Sequence, residues 1–458
     1  MATKRANAVA RSLQAAGVSS VWDLSRATSF SQPSISLAIG ELGDEIVRFG
    51  KARASRYGLV RRIAEEGSQW LLYSINQTGL PNLAGQIVAL HQGEWVFQSE
   101  PDFEWINMRD YSQGLYPGLP WFLDTLRPQG FLGRNFGKAV SPSLGLPMDP
   151  GDWLADHVLI AAIHYGFDFP GSFVMGDKAL EKVQSAFLQE TTLVASKERR
   201  THYHECAIAA LAGEIPGSSA GGEQPKFTTA LADDGEIINA IVKFSGPTDS
   251  PIDQRWRDLL IAESIASEIL KASQVPVVNN HIFNIQGRVF LESERIDRVG
   301  EFGRRFVVPL SALDGAFYGQ ADTPWRQAAD RLEKDCLFSN LDADNLRWLW
   351  WFGNLIGNDD MHYGNISLFS NGSGSFELAP CYDMLPMRYR PSNSGELVPR
   401  EPNPSPPPPQ ALDVWRRASL ASANFWQSVK DRTEVSQDFK NIADVNLRSI
   451  EKLRVRFA

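Results

Sequence analysis

The chain has 458 residues, enough for two or three domains, and its 43% hydrophobic and 22% charged residues are typical of a globular protein. No segment approaches the ~20 uninterrupted apolar residues of a membrane span, and the first residues lack the apolar core of a signal peptide. The three cysteines are too widely separated for a disulfide framework. We therefore expect a cytoplasmic protein with no membrane partner.

The first 62 residues are basic, although the whole chain has a formal net charge of −9. They contain ten Lys and Arg against four Asp and Glu, a net of +6. The segment Val21–Leu42 predicts two helices with a break near Thr28–Ser31, and the second helix starts around Gln32-Pro33, where a proline is tolerated. The segment Ile46–Arg61 predicts two short strands around a basic turn.

This order of elements resembles a winged helix-turn-helix, so residues 1–62 are predicted to bind duplex DNA. The second helix would enter a major groove, and the turn between the strands would contact phosphates. The predicted DNA-binding residues are Gln32, Ser34, Ser36, Arg53 and Arg56. The alternative is a basic helical pair that packs on another protein.

Short strands and Gly/Pro turns follow from about residue 69 to 140, and then a helix within Asp152–Phe167. Strands dominate again over residues 223–298, broken by a helix at Arg255–Ser273, and residues 325–356 are mostly helical. Residues 398–410 are rich in proline and predict an extended connector before a helical end.

Two polar clusters near the end of the helical region carry the strongest chemical signal. The stretch "GNDDMHYGN" places Asp360 and Asn365 at the spacing D-x-x-x-x-N, and a predicted hairpin then leads to Asp383 in "PCYD". Phosphoryl transfer needs a carboxylate near the attacking hydroxyl, and an Asn plus a second Asp on Mg²⁺. The alternative is a solvated turn with capping side chains.

Elements upstream could hold phosphates. The Gly/Ser loop at residues 216–231 offers backbone N–H groups, although it lacks the spacing of a Walker A motif. The next strand carries Lys243, which suits a phosphate-binding lysine. A flexible linker and an exposed strand lysine are the alternatives.

Three motifs, "SAGGEQPK", "ESERIDR" and "GNDDMHYGN" with "PCYD", stand in the order found in the HipA-like Ser/Thr kinases, which are toxins of toxin–antitoxin pairs. The chain resembles that family over about residues 69–383. The resemblance implies an α+β, two-lobed HipA-like kinase fold behind the winged helix-turn-helix domain. The N-terminal lobe would span residues 63–300, with an N-terminal subdomain to about 150, and the mostly helical C-terminal lobe residues 301–458.

The resemblance also implies a role for each motif residue, with ATP and Mg²⁺ as cofactors. Asp360 would be the catalytic base with His362 beside it, and Asn365 and Asp383 would bind Mg²⁺. The residues implied for ATP are Ser219, Gly221, Gly222, Gln224, Lys226, Lys243, Glu294 and Ile296, the last two through the backbone at the adenine. Ser219 also stands where such kinases phosphorylate themselves.

The chain departs from the family at several points. Met361 and Gly364 replace residues that are usually basic, and the ion-pair partner of Lys243 is left open between Asp258 and Glu263. A DNA-binding head in the same chain indicates a distinct subfamily. Its expected partners are a protein substrate, duplex DNA and, as a further candidate, an antitoxin protein.

Two other functions compete with the kinase. The residues around Asp360 could hold Mg²⁺ for cleavage of DNA brought by the head, or the body could be an idle kinase that senses nucleotide for a transcriptional regulator. The glycine loop and Lys243 favour ATP. A zinc site at "HYHEC" (His202–Cys206) lacks a fourth ligand at usual spacing.

Overall fold

The fold is seen in a computed structural model that describes residues 3–50, 54–188, 193–213, 224–233, 235–370, 372–392 and 394–457. The helices are α1 (Lys4–Ala16), α2 (Val21–Thr28), α3 (Gln32–Leu42), α4 (Gly130–Leu144), α5 (Ala155–Tyr165), α6 (Asp177–Leu188), α7 (Arg199–Ala212), α8 (Pro251–Ala272), α9 (Leu310–Phe317), α10 (Trp325–Lys334), α11 (Asn340–Ile356), α12 (Leu412–Asp431) and α13 (Gln437–Arg456).

The strands are β1 (Ile46–Phe49), β2 (Arg56–Leu59), β3 (Gln69–Ile75), β4 (Pro81–Ala89), β5 (Trp95–Ser99), β6 (Leu115–Tyr116), β7 (Phe173–Met175), β8 (Val194–Ala195), β9 (Lys226–Asp233), β10 (Glu236–Phe244), β11 (Asn280–Ile285), β12 (Arg288–Glu294), β13 (Arg298–Val299), β14 (Gly303–Arg304), β15 (Val307–Pro309), β16 (Ser367–Ser370) and β17 (Phe376–Leu378).

The head contains α1–α3 and the β1–β2 hairpin, in the order that a winged helix-turn-helix requires. α2 begins with a capping box in which Ser20 and Asp23 accept each other's backbone N–H. α3 begins at Gln32 with Pro33 in its first turn, as predicted. The head packs on the next domain, because Phe49 of β1 lies in one apolar cluster with Val88 and Val96.

The middle domain contains an antiparallel sheet in the order β6-β5-β4-β3-β7, with α4–α6. Arg61, just after the hairpin of the head, donates to both carboxylate oxygens of Asp156 at the start of α5, at 2.5 and 2.9 Å. The edge strand β7 lies beyond the subdomain end expected near residue 150. The domain boundaries stay predictions.

A second five-stranded sheet, in the order β11-β12-β10-β9-β8, forms the following lobe. Successive side chains of its central strand β10 point to opposite faces. Val242 and Phe244 pack with Tyr203 of α7, whereas Lys243 meets Glu263 of α8. The lysine is therefore inside the lobe and not on an exposed sheet edge.

The last lobe is mostly helical, as predicted, with a core between α11 and α12 and a small sheet in the order β15-β16-β17. The proline-rich connector has no regular secondary structure from residue 396 to 408. It lies along this lobe, since the Ser405 N–H donates to Asn354 Oδ1 at 2.9 Å. No helix within the described parts of the chain is long and apolar enough to cross a membrane.

Candidate functional site

A cleft of about 1170 Å³, including the space open to solvent, lies where the middle domain and both lobes meet. Lys226 and Lys243 line it from the second sheet, and Asn365 and Asp383 line it from the last lobe. Residues 293–297, at the end of β12, form the connection between the lobes and also line the cleft. The fold thus brings together motifs that are more than 100 residues apart.

Lys243 is the centre of the charged group in this cleft. Its Nζ lies 2.6 Å from Glu263 Oε1 and also bonds the carboxylate of Asp383. Burial alone would lower the pKa of Lys243, but the carboxylates of Asp383 and Glu263 outweigh it and raise that pKa. The pKa of Asp383 is lowered: burial opposes this, but Lys243 and Lys226 stabilise the carboxylate. Lys243 is therefore a cation at neutral pH.

The open choice of ion-pair partner is decided by geometry in favour of Glu263. Asp258, one turn earlier on α8, accepts hydrogen bonds from the N–H and the hydroxyl of Ser436, at 2.8 and 2.6 Å. Asp258 thus links α8 to the start of α13 and does not line the cleft.

The loop after α11 is closed around the backbone of Asp360. Its N–H donates to Asn358 Oδ1 at 3.0 Å, and its carbonyl accepts from Asn365 Nδ2 at 2.8 Å. The Asp360 carboxylate is 42% exposed, whereas Asn358 and Asn365 are buried. Because Asn365 uses its nitrogen for the loop, its Oδ1 oxygen is the atom that suits a metal.

The two departures from the family motif have local explanations. A Cβ on Gly353 of α11 would lie 2.6 Å from Met361 Sδ, so the glycine makes room for the methionine. The Gly364 N–H donates to His362 Nδ1 at 3.1 Å, and a Cβ at position 364 would lie 2.9 Å from that nitrogen. A lysine there would displace His362, whose Nε2 lies 3.9 Å from Asp360 Oδ1.

Tyr363 anchors the loop from behind and was not found by sequence reasoning. Its buried hydroxyl bonds Thr323 Oγ1 at 2.7 Å and accepts from Arg331 at 2.9 Å. Asp314 in turn pairs with Arg331 at 3.2 Å. An aromatic residue within a polar motif was the only signal in the sequence.

Asp383 has a left-handed backbone, with φ of +54°. Non-glycine residues in this region cost free energy and concentrate at functional sites. Here the conformation turns the chain after the β16–β17 hairpin, so that the carboxylate reaches Lys243.

Glu294 and Ile296 line the cleft at the connection between the lobes, and their backbone contact with adenine stays a prediction. Between them, Arg295 pairs with Asp297, whose Oδ2 accepts from the Gly171 N–H at 2.9 Å. Burial opposes ionisation of Asp297, but Arg295 and Arg298 outweigh it and lower its pKa. This ionic group ties the connection to the middle domain.

The middle domain supplies part of the cleft wall, which the motifs could not predict. Most of the side chains concerned follow β6 in sequence, well before the glycine loop, and one precedes β7. They are Asp124, Thr125, Arg127 and Gln129 after β6, and Pro170 before β7.

The structure describes only the end of the predicted phosphate loop. Ser219, Gly221 and Gly222 lie outside the described residues. Gln224 has a buried Nε2 without a hydrogen-bond partner among the described residues, and Lys226 is buried against the cleft.

Among the predicted DNA-binding residues, Gln32, Ser36 and Arg56 are exposed and Ser34 is half-buried. Arg53 lies outside the described residues. Of the three "HYHEC" ligands, His202 bonds Thr229 Oγ1 at 3.0 Å and contacts Cys206. No three His, Cys, Asp or Glu side chains converge as metal ligands in the parts of the chain that are described.

Residues 66–184 match the family model of the YjjJ-like toxin middle domain, and residues 218–452 match that of the HipA-like C-terminal domain. Toxin YjjJ of Escherichia coli (strain K12) is 34% identical over 447 residues, which are 96% of this chain and 97% of that protein. A solved chain from the HipA, HipB and operator DNA complex of the Shewanella oneidensis MR-1 toxin–antitoxin system has a TM-score of 0.51 at 16% identity. That match covers 84% of this chain and 96% of the other, so the two share a fold.

Proposed function

The chain belongs to the HipA-like toxin family, and we propose that it is a Ser/Thr protein kinase that uses Mg²⁺ and ATP. The observation that carries the proposal is the buried Lys243, paired with Glu263 and Asp383, facing Asn365 across one cleft. A fixed cation opposite an Asn–Asp pair is the arrangement that phosphoryl transfer requires.

The residues present fit both cofactors. Asn365 and Asp383 offer two oxygen ligands, which suits Mg²⁺ because this ion keeps several waters and takes few protein groups. The Nε2 of Gln224, which has no hydrogen-bond partner among the described residues, and the cations Lys226 and Lys243 suit phosphate oxygens. The backbone around Glu294 and Ile296 would hold the adenine. Bound Mg²⁺–ATP would supply the transferable γ-phosphoryl group.

The chain's own groups would orient the acceptor and remove its proton. The exposed carboxylate of Asp360, held in place through its backbone, would accept the proton of a Ser or Thr hydroxyl. His362 lies beside that carboxylate. The bond from the Gly364 N–H orients the imidazole ring, which would in turn keep the Asp360 carboxylate in position. Lys243 stays charged and would hold phosphate throughout.

A transfer assay with γ-labelled ATP and purified full-length protein tests the proposal. Asp360→Asn should abolish incorporation of label, because an amide cannot accept the proton. Asp359→Asn is the matched control, since this neighbouring carboxylate pairs with Arg388 at 3.2 Å and should be dispensable. Equal transfer by wild type and Asp360→Asn would contradict the assignment.

The same preparation separates the competing functions. A Mg²⁺-dependent nuclease would cleave plain duplex DNA without ATP, and an idle kinase body would bind nucleotide without transferring label. A kinase should transfer the label and leave the duplex intact. Cleavage that needs Asp360 but not ATP would favour the nuclease.

We also propose that Ser219 is an autophosphorylation site that switches the phosphate loop off. A phosphoryl group adds about 1.5–2 negative charges beside the proposed ATP phosphates and would compete for the same N–H donors. Mass spectrometry after incubation with Mg²⁺–ATP should find phosphate on Ser219 in the wild type but not in Asp360→Asn. Ser219→Asp should bind ATP poorly, and tight ATP binding by this variant would contradict the switch.

The proposed partners are a protein substrate, duplex DNA and an antitoxin protein. The basic head, with exposed Arg56 in its hairpin, supports DNA. The HipA relative was solved with HipB and operator DNA, which supports the search for an antitoxin that copurifies with this chain.

A further inference from the structure

Helix α3 of the head turns one large apolar side chain away from its own core. Ile35, Ala38 and Leu42 are buried, but Leu37 is 58% exposed. At about 100° per residue, Leu37 lies about 130° from the middle of the buried face, on the outer side of the helix. A helix-turn-helix places that outer face of its second helix in the major groove.

Most neighbours of Leu37 on this face are small, since Ser36 and Gly40 are exposed and Ser34 is half-buried. The longer side chain of Glu41, one turn further on, pairs with a cation of α1. A Cβ on Gly40 would meet no atom within 4 Å. Leu37 therefore projects from a shallow surface and would be the first side chain to reach a base edge.

The composition of α3 restricts which bases it can read. The helix, Gln32–Leu42, contains no lysine or arginine, the residues that recognise guanine most often. Its exposed Gln32 is of the type that pairs with adenine, and apolar side chains contact the thymine methyl group. Both contacts favour A·T base pairs.

Charge identifies duplex DNA as the occupant of this face. The head carries a net charge of +6, and its hairpin exposes Arg48 and Arg56. A polyanion is therefore favoured over a neutral or basic protein surface, and the helix order of the head favours duplex DNA as that polyanion. Arginine is also attracted to the narrow minor groove of A-tracts, which agrees with an A·T-rich site.

We propose that α3 recognises A·T base pairs in the major groove, with Leu37 packed on a thymine methyl group. This inference rests on the proposed DNA binding by the head and adds the kind of base that it reads.

The test uses full-length protein and duplexes selected by it from a random library. Each thymine of the selected site is then replaced by deoxyuridine, which removes the methyl group and keeps every hydrogen bond. For the wild type, one replacement should weaken binding about fourfold, the effect of one buried methyl group. For Leu37→Ala, the same replacement should cost nothing further. The control variant is Leu420→Ala, which truncates an equally exposed leucine on α12 and should behave as wild type.

Three results would overturn the inference. The inference fails if the selected sites are rich in G·C pairs, or if deoxyuridine weakens binding equally in wild type and Leu37→Ala. Either result is compatible with salt-sensitive DNA binding by the head. A change of oligomeric state in Leu37→Ala without any loss of DNA affinity would assign the leucine to a protein contact. Absence of any duplex binding by the wild type would remove the DNA-binding proposal itself.

Discussion

At the scale of single residues, the cleft depends on two carboxylates that share one lysine. Glu263 and Asp383 both bond Lys243, but only Asp383 is partly exposed to the cleft, since Glu263 is buried. Burial raises the pKa of Glu263, although Lys243 opposes the shift. Glu263 thus positions the lysine, and Asp383 is the carboxylate left for a metal.

Asp383→Asn should separate metal binding from acceptance of the proton. The change removes one negative charge from the proposed Mg²⁺ site, whereas Lys243 keeps Glu263 as its partner, so the fold should persist. We expect loss of phosphate transfer and much weaker Mg²⁺-dependent nucleotide binding, measured by isothermal titration calorimetry. Asp360→Asn should retain nucleotide binding. Equal nucleotide affinities for the two variants would contradict the assignment of Asp383 to the metal and Asp360 to the proton.

At the scale of elements, the basic hairpin and α3 should act together on DNA. Each arginine–phosphate contact that is lost should reduce the slope of log affinity against log salt by about 0.9. Arg53→Ala combined with Arg56→Ala should therefore flatten the slope by about two units in full-length protein, measured by fluorescence anisotropy.

The matched control for the hairpin is Lys452→Ala, which removes an exposed cation from α13. It should leave the salt slope unchanged. A slope that falls as far with Lys452→Ala as with the hairpin pair would place DNA on the kinase body.

At the scale of the whole molecule, the head packs against the middle domain and is not joined to it by a linker alone. Arg61 makes its two bonds to Asp156, and Phe49 packs against Val88 and Val96 of the middle sheet. The head, with α2 and α3, is therefore held against the middle domain, which also lines the cleft. The head is predicted to resist proteolysis at its junction with the middle domain.

Phe49→Ala should release that junction. Truncation of a buried phenylalanine costs about 3–5 kcal/mol, and here the loss falls on the packing between head and middle domain. Limited proteolysis with mass spectrometry should then find cleavage near residues 60–68, which the wild type should resist. Asp344→Ala, which removes an exposed partner of Arg417, is the control and should give the wild-type pattern.

Much of the fold and half of the site could be predicted, because the signals were local. The helix break before Gln32, the hairpin at residues 46–59 and the β16–β17 hairpin follow from turn residues and apolar periodicity within a few positions. The family itself was identified from the order of its motifs, and the comparisons confirm it. The roles of Asp360, Asn365 and Asp383 stay predictions.

The sequence by itself determined which groups are available: the carboxylates, the amides, the lysines and the basic head. Only the tertiary structure decided which of them meet. Asp258 and Glu263 were equal candidates in the sequence. The two side chains leave α8 in different directions, so that Asp258 bonds Ser436 and Glu263 bonds Lys243. Tyr363 stands in a motif that does not reveal its partners, and the middle-domain wall at Asp124–Gln129 has no recognisable motif. The contacts of both are with residues distant in sequence and are found only through packing.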